Sequence, residues 1–265
     1  MQATTVQKEP LWFYVTNRWY SGKKPNFYDI SGMHSAGILE QNYERIRVEI
    51  LTFYEKDAAS LKPNFTPYNY KEEGWRTINM HAFMLRYPEN IKKFPVIEEV
   101  VRKIPNMVTA QVAVLSPHTR VKAHFGDSNA IVRHHLGIII PGKYPELGFR
   151  NGREEQCWEE GKVLAICIAH RHYVWNNTDH KRIILLVDTI HPDYADKKLY
   201  ICSGLLAAAV LKMIATKFTI TKKTPDFIVL ALHKLLTIPF MLLLWAQNTL
   251  GYSFGGILNR YKVDL

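Results

Sequence analysis

The stretch "HTRVKAHFGDSNAIVRHHLGIIIPG", His118 to Gly142, carries four histidines and two arginines and then runs into an apolar strand. A lone strand histidine is ordinarily a satisfied structural residue. Two that meet in one cavity are different, because neutral imidazole is a good ligand for first-row transition metals. A second source lies downstream. "AHRHYVW" holds His170 and His172, and alternation puts both on one face of a strand. In a closed barrel, His124 and one of this pair can meet inside the mouth. Imidazole suits Fe(II), and the triad of two histidines and one carboxylate leaves coordination positions open. That triad runs His-x-Asp/Glu, a long gap, then His. Here "HFG" puts Gly126 where the carboxylate belongs, and alternation turns Asp127 away from the metal. Arg133 and His135 share a strand face, whereas His134 between them alternates outward and is expected at the surface. Arg182 opens the apolar strand "KRIILLVD", where a guanidinium without a partner is costly to bury. Lys181 beside it faces the other way.

These residues need a scaffold of short strands. The apolar spacing Ile38, Tyr43, Ile46, Ile50, Phe53 predicts one amphipathic helix over 37–56. "FPVIEEVVRKIPN" predicts a short helix with Pro95 in its first turn. Strands are predicted at 76–85, 107–115, 130–142, 162–175 and 181–190, punctuated by Pro, Gly, Asn and Asp. Many short β runs with turn signals point to a barrel or jelly roll. Within "CWEEGK", Gly161 supplies a sharp bend and Trp158 is expected in the core.

The chain has 265 residues, a formal charge of +10 and a pI near 9.4. Such a balance suits an anionic partner. No zinc finger and no RNP1-type aromatic motif is present, so nucleic acid is not the expected partner. Cys157, Cys167 and Cys202 have no metal or redox spacing and read as reduced thiols of a cytoplasmic protein. Met1 to Pro10 is polar, with no secretory signal expected. Three segments follow: an irregular, aromatic-rich 1–36, a β domain at 37–196, and a tail at 197–265. The tail holds nine Lys or Arg against two acids, between apolar runs. Phe227 to Trp245 is long enough to span a bilayer but contains His233, Lys234 and Pro239. The cleaner run from Leu235 to Ala246 is about 18 Å as a helix, against a core of about 30 Å. The expectation is therefore helices in or dipping into an anionic membrane surface at the cytosolic face, flanked by Lys212, Lys217, Lys222, Lys223 and Arg260.

Taken together and in this order, "LSPHTRVKAHFGDSN", "VRHHLGIIIPG", "CWEEGKVL" and "HRHYVWNNTDHKRIILLVDTIHPD" resemble the aspartyl/asparaginyl β-hydroxylase family, including its lipid-hydroxylase-like bacterial branch. The match covers about 107–195, with a looser likeness back to about 38. The resemblance implies a mainly β fold, a cupin-like double-stranded β-helix (jelly roll). N-terminal helices and an α-helical hydrophobic C-terminal extension would flank it. It implies an Fe(II)- and 2-oxoglutarate-dependent dioxygenase that uses O2 to hydroxylate an unactivated C–H bond. That family also carries glycine at the carboxylate position. By register the resemblance places the metal ligands, and so the catalytic residues, at His124 and His172. It places the 2-oxoglutarate site at Arg182, Arg133 and His135. A serine that contacts the distal carboxylate in better-known members falls on Ala113, removing one hydrogen bond. Both branches need the same iron site, so a lipid acyl chain and a peptidyl Asp/Asn side chain are both candidate substrates. The alternative function is a catalytically silent, membrane-associated β-helix binding protein. Retention of both histidines and both arginines argues against it.

Overall fold

The computed structural model describes residues 8–16, 18–64, 74–217, 224–251 and 253–254. After the irregular N-terminal arm come α1 (His34–Gln41) and α2 (Tyr43–Asp57). The single helix expected over 37–56 is broken at Asn42, whose side-chain amide donates to the Ile38 carbonyl. Next in the chain are β1 (Lys62–Pro63), β2 (Trp75–Ala82), β3 (Leu85–Arg86), α3 (Pro88–Ile91) and α4 (Pro95–Val101). The strands β4 (Met107–Leu115), β5 (Thr119–Phe125), β6 (Ile131–Ile139), β7 (Leu147–Asn151), β8 (Glu154–Gln156), β9 (Val163–Cys167), β10 (Arg171–Asn176) and β11 (Arg182–Ile190) follow. Two helices end the described chain, α5 (Lys198–Lys217) and α6 (Asp226–Leu250).

The strands form two antiparallel sheets. The larger has the order β1-β2-β4-β11-β6-β9, with β3 on β2, and the smaller has the order β5-β10-β7-β8. The long run 162–175 is two strands. The chain leaves the larger sheet after Cys167, turns at Ile168–His170 and enters the smaller as β10. This architecture is a mainly β double-stranded β-helix of the jelly-roll kind, with helices at both ends.

Alternation gives the larger sheet two different faces. Ile78, Val112, Val114, Ile183, Leu185, Val187 and Leu136 point outward and are covered by α1, α2 and α4 through Ile46, Ile50, Phe53, Ile97 and Val100. Ala113, Leu115, Ile184 and Leu186 point inward to Val121, Leu147, Phe149 and Val174 of the smaller sheet. His134 does lie on the outward face, but that face is not the surface. Its ring is fully buried beneath α1, sharing a 2.9 Å hydrogen bond with the Ser35 hydroxyl and a 3.1 Å one with the Val187 carbonyl. The surface expectation fails because alternation tells which side a residue takes, not what covers that side.

The boundary expected near residue 196 falls in a 3-10 turn, Pro192–Lys197. Packing continues across it. Ile201, Cys202, Leu205 and Leu206 of α5 join the core that contains Leu186 and Ile190. Helix α6 is tied down along its length. The buried His233 ring bonds to the Gly204 carbonyl, and the Gln247 amide donates to the Met84 carbonyl at 2.8 Å. Its other side is open: Phe227, Leu235, Ile238, Leu242 and Trp245 are each more than half exposed. Both Pro192–Ala215 and Asp226–Leu250 are long and apolar enough to cross a membrane by length and composition. Of the flanking cations, Lys212 pairs with Asp127, while Lys222, Lys223 and Arg260 and the side chain of Lys217 lie outside the described residues.

Candidate active site

Strands β5 and β10 make His124 and His172 direct cross-strand partners, with ring centroids 4.3 Å apart. Each ring is oriented by its own strand. Nδ1 of His124 lies 2.8 Å from the Lys122 carbonyl, and Nδ1 of His172 lies 2.9 Å from the His170 carbonyl. A carbonyl only accepts, so each Nδ1 carries the proton and each Nε2 the lone pair, the tautomer a metal ligand needs. Burial keeps both rings neutral. It pulls His124 down to about 4 and His172 well below the ordinary histidine value. The Phe149 ring stacks on His172 at 5.5 Å and 13°. His170 is employed elsewhere: Nε2 donates to the Lys24 carbonyl at 2.7 Å, and the ring meets Tyr20 edge-on.

The glycine after Phe125 is demanded by space. A Cβ at Gly126 would lie 2.4 Å from the Ile168 carbonyl oxygen and 2.7 Å from the Ile168 Cβ, so no side chain fits there. Among the described residues no third His, Cys, Asp or Glu joins the pair. Asp127 turns to Lys212 of α5. Burial pushes its carboxyl up, but Lys212 and Arg133 outweigh that and hold it below the ordinary value.

The inward face of the larger sheet supplies cations and donors. Arg182, Leu115 and Trp75 are in register across β11, β4 and β2. The Arg182 guanidinium is buried and lies 4.6 Å above the Trp158 ring. Among the described residues no carboxylate pairs with it, and its Nε has no hydrogen-bond partner. Burial alone brings it down to about 9. His135 is also buried. Its Nδ1 accepts from the Trp158 indole at 3.2 Å, so its proton sits on Nε2, which has no partner. Burial, then Arg133 and Arg182, hold His135 well below its ordinary value. The buried Trp75 indole N–H, which sequence reasoning did not single out, is likewise without a partner. Its signal was the in-register pairing with the Arg182 row, which a sequence does not display. Ala113, between Thr77 and Ile184, contributes no side-chain donor.

An uncompensated buried cation flanked by two orphan donors is costly unless an anion completes it. The set fits a carboxylate, and the neighbouring imidazole pair fits a divalent metal with positions left for other ligands. Arg133 behaves differently from Arg182. Its Nε and one terminal nitrogen both donate to the fully buried Asp188 carboxylate at 2.8 Å, from the adjacent strand. Arg133 therefore lies near both histidines, but much of its fork is already engaged. Asp188, three residues before the "HPD" that closes the resembling stretch, was missed because only strand register reveals it as that partner.

Comparison with known proteins follows the geometry. The chain is 30% identical over 177 residues to the ornithine lipid ester-linked acyl 2-hydroxylase of Rhizobium tropici, covering 63% of this chain and 61% of that protein. It is 28% identical over 181 residues to the human aspartyl/asparaginyl beta-hydroxylase, covering 66% of this chain and 23% of that protein. The chain thus spans less than two thirds of the length of either relative. Among solved structures it is similar to a prolyl 4-hydroxylase from Pseudomonas putida, with a TM-score of 0.40 and 13% identity over 59% of this chain and 98% of that one. A Cupin 2 conserved barrel domain protein from Salinispora arenicola gives 0.33 and 13% over 54% and 90%. The aspartyl/asparaginyl beta-hydroxylase profile matches residues 40–192, which include His124, Arg133, His135, His172 and Arg182. More than half of the chain is matched, and the chain belongs to the aspartyl/asparaginyl beta-hydroxylase family.

Proposed function

We propose that this hydroxylase-family chain is an Fe(II)- and 2-oxoglutarate-dependent dioxygenase acting on an acyl chain of a membrane lipid. The observation that carries the cosubstrate is the buried Arg182 guanidinium without a counter-ion, beside the unpartnered His135 Nε2–H. His124 and His172 would hold the metal through Nε2. When bound, the metal with 2-oxoglutarate and O2 supplies oxidation of an unactivated C–H bond. The protein's own part is positional. The Lys122 and His170 carbonyls fix both ligand tautomers, and Arg182 with His135 orients the distal carboxylate. Phe149 and Trp158 keep that end dry. The bidentate Asp188 holds Arg133 rigid beside the histidines.

The lipid assignment over a peptidyl Asp/Asn side chain rests on α6. A soluble monomer rarely exposes so continuous an apolar stripe as Phe227 to Trp245. Because α6 is bonded to the domain at His233 and Gln247, it is suited to lie in the interface plane rather than to cross. The similarity to a lipid acyl hydroxylase points the same way. Three free cysteines suit the cytosolic face of that membrane. The test is anaerobic Fe(II) titration, 2-oxoglutarate consumption, and mass spectrometry of lipids and proteins for added oxygen. Hydroxylated lipid is expected. Oxygen found only on Asp or Asn of a peptide would replace the substrate. No Fe(II) binding and no 2-oxoglutarate consumption would leave the binding-protein alternative.

A further inference from the structure

Away from the histidine pair lies a groove of about 780 Å³, within the range of small-molecule sites. One wall is the N-terminal arm, through Leu11, Phe13 and Val15; the other is α5 and α6, through Tyr200 and Leu230. The arm is fixed in place. Phe13 bridges to Ser128, the Trp12 N–H donates to Asn129 at 2.9 Å, and the Tyr14 N–H donates to the Asp127 carbonyl. The charged lining is wholly cationic: Arg18, Lys197 and Lys234, with no Asp or Glu. Arg18 is paired with Asp226. Lys197 and Lys234 are exposed and have no ion-pair partner among the described residues. The groove is continuous at Leu230 with the open apolar face of α6. Elsewhere it ends on Trp19, whose ring lies 5.6 Å from Phe125, the residue after His124.

The geometry points to a binding site for one anionic phospholipid, with an acyl chain in the groove and its phosphate on Lys197 and Lys234. An apolar trough with two unpaired cations at its rim matches an amphiphile of that charge. Free phosphate would need no trough. Headgroup charge thus selects which lipid is admitted beside the site. The inference rests on the reading of α6 as a membrane face, not on the metal chemistry.

The experiment uses the full chain with vesicles of phosphatidylglycerol carrying a photoactivatable acyl chain, and the same with phosphatidylcholine. Crosslinked peptides are mapped by mass spectrometry. Label from phosphatidylglycerol is expected on Leu11 to Val15 and on Leu230. Lys197→Gln and Lys234→Gln should each lower it about fivefold, the factor for one cation at an anionic surface. Val15→Trp, which fills the groove without touching a lysine, should remove the arm label while thermal unfolding confirms a folded protein. Equal labelling from phosphatidylcholine overturns the headgroup assignment. Label confined to Leu235, Leu242 and Trp245, or undiminished in Val15→Trp, overturns the groove. A short-chain phosphatidylglycerol presented as monomer separates this site from the membrane reading. Groove label with no vesicle sedimentation keeps the site and removes the membrane face, whereas sedimentation with no groove label does the reverse.

Discussion

Arg182→Met should make the protein more stable and unable to hold its cosubstrate. Methionine keeps the length and apolar body of the side chain and removes only the charge. The wild-type guanidinium is buried with no facing carboxylate, and that environment alone brings it to about 9 from 12.5. At about 1.36 kcal/mol per unit this is a cost of roughly 4–5 kcal/mol in the ligand-free protein. The Trp158 ring 4.6 Å beneath it offsets about 1–2 kcal/mol, which the variant also loses. The net gain of about 2–4 kcal/mol corresponds to a rise in Tm of roughly 5–15 °C for a chain of this size. The assay is thermal unfolding with and without 2-oxoglutarate. Ligand at about 100 Kd adds about 2.7 kcal/mol to the wild type, a second upward shift that the variant should lack. A variant that melts lower than wild type without ligand, yet still rises with 2-oxoglutarate, would refute the reasoning: Arg182 would then be a structural cation and the distal carboxylate would be held elsewhere.

His124→Ala or His172→Ala should abolish Fe(II) binding in an anaerobic titration and stop 2-oxoglutarate turnover, whereas His170→Ala should retain both; loss of the metal in the last variant alone would move the ligand. Gly126→Asp should not create a third ligand: the added Cβ would meet the Ile168 carbonyl, so Tm should fall by several degrees with no gain in metal affinity in the same titration. Asp188→Asn strips Arg133 of a buried bidentate partner, and denaturant unfolding should register a loss of about 3–5 kcal/mol.

Much of the site was legible because strand alternation is local. A period of two gives the shared face of Arg133 and His135 and puts His170 and His172 in one phase, whereas the choice of His172 and of Arg182 rests on the family resemblance. What alternation cannot tell is what lies across from a face. His134 was assigned to the surface because nothing in "VRHHLG" reveals that Ser35 comes to rest on it. The resemblance places Arg133 in the cosubstrate pocket, and nothing in the sequence shows its partner Asp188, 55 residues away on a strand whose register is set by tertiary pairing. The run 162–175 read as one strand because the break at Ile168 is a change of sheet rather than a change of composition. In the tail the apolar content was plain, but its division between a core-facing side and an open side was not. That division depends on Leu205 and Leu244 finding the inward face of the sandwich.

The seating of α6 at His233 and Gln247 also bears on how the chain can be made. A 25-residue helix of this composition competes for two destinations during synthesis, its own domain or the insertion machinery of the membrane. The order of the chain favours the first. Every strand, and the α5 carbonyl that receives His233, is synthesised before α6 emerges, and domains tend to fold as their N-terminal parts appear. The body that captures α6 is thus already assembled. Damage to that body, even far from the helix, would leave α6 open to the insertion machinery, so misfolding here would show itself as a wrong topology.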